Sequence, residues 1–122
     1  MPPGYMPRWT DKRFGEAEHC GDGALPRGVT YAAAVAAARH RDREALEQVL
    51  SCSYSRLCDG ANAEIHSGVL QQLLLAWGDI DFSVSLAKVM SRHHNRYHHF
   101  FPMSESDMRI LFPLTARLLY GR

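Results

Sequence analysis

Lysine is almost missing from this chain: of its fourteen basic residues only Lys12 and Lys88 are lysine, and with thirteen acidic residues the net charge is +1. Such a balance lacks the excess basicity of a nucleic-acid binder. Long apolar runs are missing too. The longest, Tyr31 to Ala38, has eight residues, where a membrane-spanning helix needs about 20. There is no P-loop, no GxGxxG run, no HExxH pair and no nucleophile elbow, which removes the familiar signatures of phosphate, dinucleotide, zinc-hydrolase and serine-hydrolase chemistry. No stretch alternates apolar and polar residues at the period of a half-buried strand. An enzyme is therefore not expected, and no cofactor.

Cysteine is scarce and odd in number. Cys20, Cys52 and Cys58 cannot all pair within one chain, so the expectation is reduced thiols in the cytoplasm. Arg8, Asp11, Lys12 and Arg13 interrupt the apolar core that a secretory signal would need. Cys58 and His66 are a nucleophile type and a base type, with Asp59 or Glu64 as orienter, but residues of these types fall this close by chance and no protease signature surrounds them. The segment from Asp59 fails as a calcium loop, because Gly60 comes too early and Leu70 stands where the bidentate acid belongs.

What is present is the material of one small helical domain. At 122 residues the chain buries about two-thirds of its unfolded surface on folding, and 46% hydrophobic with 22% charged residues is an ordinary globular composition. Residues 1–28 hold four of the six prolines and five of the nine glycines, which predicts an irregular N-terminal arm. Tyr5, Trp9 and Phe14 are costly to leave in water, so the arm is a candidate to drape over an apolar groove.

Residues 29–122 read as the helical domain. Thr30 is placed to cap an alanine-rich helix from Tyr31 to His40, and Asp42 opens a second whose Ala45, Leu46, Val49 and Leu50 share a face. A third helix runs from about Ala63 to Trp77. Asp81 or Ser83 is expected to cap a fourth, with the stripe Phe82, Leu86, Val89, Met90, His93 and Tyr97. Ser104 and Asp107 resemble a capping box before a last helix, which Pro113 should kink or restart. There Met108, Leu111, Phe112, Thr115 and Leu119 form one stripe and Ile110, Leu114 and Leu118 another, so burial on two sides is expected. The predicted fold is all-α, a single-domain bundle of four to six helices in stacked antiparallel hairpins, with Leu46, Leu50, Leu73, Leu74, Trp77, Leu86, Val89, Leu111 and Leu118 in the core.

Residues 31–50, an alanine-rich helix, a polar turn and a leucine-bearing helix, resemble the helix-turn-helix part of ankyrin- or HEAT-type repeats. The resemblance covers these 20 residues without recurring at a fixed period, and it implies stacked helical hairpins.

Four of the seven histidines fall within residues 93–99. The periodicity places them on the last turns of the fourth helix, where Arg92, Arg96, His98 and His99 complement the helix dipole. His94 and His98, four residues apart, could chelate a metal on one helix face, with His93, His99, His66, Asp79 or Asp81 as a third ligand; Arg96 between them would repel the cation. Protonating all seven histidines carries the formal charge from +1 to +8.

The functional expectation is a small intracellular protein–protein interaction module, of the immunity, inhibitor, accessory or adaptor kind, that covers a surface of a partner. Its contact candidates are Tyr5, Trp9, Phe14, Arg92, Arg96, Tyr97, His98 and His99, and the partner is another protein, acidic in character, with no membrane. The alternative is a metal- or pH-responsive regulator built on the histidine cluster. A helical nucleic-acid binder using Arg39, Arg41, Arg43, Arg92 and Arg96 comes third.

Overall fold

A computed structural model of the protein describes residues 15–93 and 101–121. It is all-helical among those residues, with six α-helices and two 3-10 turns. A 3-10 turn over Gly15–Gly21 precedes α1 (Tyr31–Arg39) and α2 (Arg43–Ser51). A second, Cys52–Tyr54, leads into α3 (Gly60–Trp77) and α4 (Asp79–Ser91), and α5 (Glu105–Leu111) and α6 (Pro113–Tyr120) close the bundle.

Three helix starts are made by local side chains, as the sequence predicts. Thr30 Oγ1 accepts the Ala33 amide at 3.1 Å, Asp42 Oδ1 accepts the Ala45 amide at 3.1 Å, and Ser104 Oγ accepts the Asp107 amide at 3.2 Å. Each satisfies one of the amides that a first turn leaves without a partner. The hairpin between α1 and α2 turns at Arg41, whose φ of 71° is left-handed, a conformation that costs a residue with a Cβ about 1–2 kcal/mol. Its guanidinium offsets this by bonding the carbonyls of Ala76 and Trp77 at the end of α3 and Asp81 Oδ2 at 3.1 Å.

The core is continuous. α2 contributes Leu46, Val49 and Leu50, α3 contributes Leu70, Leu73 and Leu74, and α4 contributes Phe82, Leu86 and Val89, joined by Trp77, Met108 and Ala116. α1 packs on α2, α2 on α4, and α4 and α5 on α6. No described helix is long and apolar enough to cross a membrane.

Within the described part of the stretch before Gly28 one 3-10 turn forms, Gly15–Gly21, in which Ala17 and Cys20 are fully buried; the turn packs on α3 and α1. Several other expectations are corrected. Cys20 and Cys58 form a disulfide, leaving only Cys52 free, so reduced thiols do not describe this structure and the cysteine argument for the cytoplasm lapses. α4 begins at Asp79, behind Gly78 with φ 85°, and neither Asp81 nor Ser83 caps it. Ser83 is buried and bonds back to the Ile80 carbonyl, and Asp81 is turned to Arg41 and Arg43.

α4 also stops short, at Ser91. His93 therefore lies beyond the helix that was expected to carry the histidine cluster. Pro113 does restart the final helix, and the restart undoes its second apolar stripe: Phe112 leaves helical geometry at φ −136° and ψ 64°, so the two stripes do not share one cylinder. Ile110 and Leu114 are exposed, and Leu111 and Leu118 are only partly buried.

Candidate functional site

A polar cluster among the described interior residues centres on His66 of α3, which is 4% exposed. Tyr31, the first residue of α1, places its hydroxyl 2.7 Å from His66 Nδ1, and Ser53 of the second 3-10 turn places Oγ 2.8 Å from Nε2. Both hydroxyls can donate or accept, so together they suit either neutral tautomer of the ring. Burial pushes the His66 pKa down to about 4, because a charged imidazolium would lose its hydration there.

The disulfide adjoins this ring. Cys20 Sγ, Cys58 Sγ and a ring nitrogen of His66 lie within 4.8 Å of one another. Cys20 and His66 are buried and Cys58 is half-buried, so solvent reaches the group from the loop side. That loop is held by Ser55, whose Oγ donates to the Asp22 carbonyl at 2.9 Å and accepts the Leu57 amide. Glu18, two residues before Cys20, accepts the Tyr31 amide at 2.9 Å. The turn that carries Cys20 thus also caps the helix that carries Tyr31.

Cys58 and His66, the sequence's nucleophile and base candidates, are brought together, but as a disulfide beside a neutral imidazole. Asp59 and Glu64, its candidate orienters, are at the surface. Cys52 is no thiolate either, since burial and then the charge of Glu18 push its pKa up to about 12. Sequence reasoning missed Tyr31, Ser53 and Cys20 as members of the cluster; no local spacing joins them to His66.

The other candidate residues divide. Tyr5, Trp9, Phe14, His94, Arg96, Tyr97, His98 and His99 lie outside the described residues. Arg92 bonds Glu47 Oε1 at 3.0 Å, where Lys88 also approaches that nearly buried carboxylate at 3.6 Å. His93 stacks on Tyr54 with ring centres 3.6 Å apart and lines a cleft of about 310 Å³ with Gly23, Ala24, Ser51 and Ser55. Of the candidate third metal ligands, Asp79 accepts the amides of Leu114 and Thr115 and Asp81 pairs with Arg41.

Of the arginines considered for nucleic acid, Arg41 and Arg43 are drawn into internal contacts. Arg41 and Arg43 lie over the Trp77 ring at 4.3 and 5.1 Å, and Arg43 also donates to Ser85 Oγ at 2.6 Å. Large apolar side chains stand in the open on three helices: Ile80 and Val84 one turn apart on α4, Ile110 at the end of α5 and Leu114 at the start of α6. The chain matches no family model, no curated protein and no solved structure.

Proposed function

We propose that the protein is a small interaction module that acts by covering a surface of a partner protein, in the manner of an immunity protein or inhibitor, and works in the cytoplasm. The observation that supports this reading is the group of large apolar side chains held in solvent on α4, α5 and α6. Ile80 is 71% exposed and Ile110 is 75% exposed. Because Asp79, next to Ile80, holds the Leu114 amide at 2.8 Å, the starts of α4 and α6 lie side by side, which brings the Ile80 and Leu114 positions into one region. Clustered exposed apolar side chains of this kind mark contact surfaces.

The test compares the intact protein with Ile80→Glu/Ile110→Glu as baits in its native cells, followed by mass spectrometry and a binding measurement with the recovered protein. A stoichiometric partner retained by the first and lost by the second is expected. Identical recovery on both baits would remove the surface from the reading.

A further inference from the structure

We propose that Cys20, Cys58 and His66 form a redox-gated zinc site, closed as a disulfide when oxidised and opened by a dithiol reductant into three ligands for one zinc ion. The inference goes beyond the interaction reading and stands on different residues. Two sulfurs and an imidazole nitrogen are the donors that select zinc over the hard cations magnesium and calcium. Zinc holds sulfur at about 2.3 Å and imidazole nitrogen at about 2.0–2.1 Å, so in a tetrahedral site two sulfurs stand about 3.8 Å apart and sulfur and nitrogen about 3.6 Å apart. The three donors already lie within 4.8 Å, and opening the sulfur–sulfur bond frees both cysteine side chains to rotate.

The surroundings fit a metal-bound histidine. A ligating imidazole uses one nitrogen on the ion and gives its other N–H to an acceptor that fixes the ring. His66 has a hydroxyl at each nitrogen, Tyr31 at Nδ1 and Ser53 at Nε2. Coordination displaces one hydroxyl and keeps the other as the second partner. Three protein ligands leave a fourth position for water, and the half-buried Cys58 puts that position toward solvent.

The exchange balances. A dithiol gives two electrons and two protons to the Cys20–Cys58 bond and becomes a disulfide, leaving two thiols. Zinc then displaces those two protons as both sulfurs coordinate as thiolates. The ion would tie the first 3-10 turn, the loop before α3 and α3 itself, as the disulfide ties the first two, so the N-terminal turn stays anchored in either state.

Zinc chloride titrated into the full chain tests this, using His94→Ala/His98→Ala as background so that this histidine pair contributes nothing. After reduction with a phosphine, one equivalent of zinc should bind, and the oxidised protein should bind none. Cobalt(II) in place of zinc should show a thiolate-to-cobalt charge-transfer band and the intense d–d absorption of a tetrahedral ion. Cys58→Ser should abolish both signals, and Ser53→Ala or Tyr31→Phe should weaken zinc binding about 10- to 100-fold, depending on which hydroxyl is retained. Equal binding by oxidised and reduced protein, no binding after reduction, or binding untouched by Cys58→Ser would each overturn the proposal. Circular dichroism covers the case in which reduction unfolds the chain: refolding on addition of zinc supports the site, and a chain that stays unfolded in excess zinc rejects it.

Discussion

Around His66 the polar groups are inside the molecule, whereas around Leu114 apolar side chains stand outside it. The first region joins two 3-10 turns, α1 and α3 through a disulfide and a hydroxyl–imidazole–hydroxyl chain. The second joins α4 to α6 through the carboxylate of Asp79 and leaves Ile80, Val84, Ile110 and Leu114 in water. Both hold distant segments together. The difference is that buried polar groups must be fully partnered, so the His66 region tolerates little change, while the exposed apolar side chains cost little to replace and are available to a partner.

The largest effect is expected where the crosslink is removed. Cys20→Ala/Cys58→Ala opens a loop closed across 38 residues, which in the chain-entropy view costs about 4 kcal/mol. Urea denaturation of the two proteins checks it, and an unchanged midpoint would mean that the first 3-10 turn is held by packing alone.

Acid should act on the same region. His66 has a folded pKa of about 4, below its ordinary value of 6.5, so the unfolded chain binds the extra proton first. Stability from this group is fully present above pH 6.5 and declines as pH falls toward 4, by about 3 kcal/mol in all. His66→Gln should flatten that part of the stability–pH profile, measured by denaturation at pH 7 and pH 4.5 with the disulfide intact.

The other region should respond less. Asp79→Ala removes the acceptor for two first-turn amides of α6 and should cost about 1–2 kcal/mol, with hydrogen exchange rising first at Leu114 and Thr115. A rise spread evenly over all helices would mean that the cap is not local to α6. The smallest change in stability belongs to Ile110→Glu, within about 0.5 kcal/mol, although it should weaken partner binding; a large drop in melting temperature would show that Ile110 supports the fold.

The helix starts show where sequence reasoning works. Thr30, Asp42 and Ser104 each serve an amide three residues on, so residue type and spacing reveal them. Glu18 serving Tyr31, Asp79 serving α6, and Trp77 Nε1 donating to the Ala38 carbonyl at 2.8 Å are the same kind of bond made across 13 to 39 residues, and no spacing rule reaches that far. The end of α4 at Ser91 departs from its apolar period for a related reason. Its apolar period runs on through His93, but His93 finds a flat aromatic partner in Tyr54 outside the helix.

The sequence by itself determined the helical class, the core leucines of α2 and α3 and the break at Pro113, because apolar period, caps and proline act within one or two turns. Tertiary structure alone decided that Cys20 meets Cys58, that Tyr31 and Ser53 flank His66, and that Ile110 and Leu114 face water. Those outcomes depend on how helices distant in sequence are placed against each other, and a local pattern carries no record of which surfaces will meet.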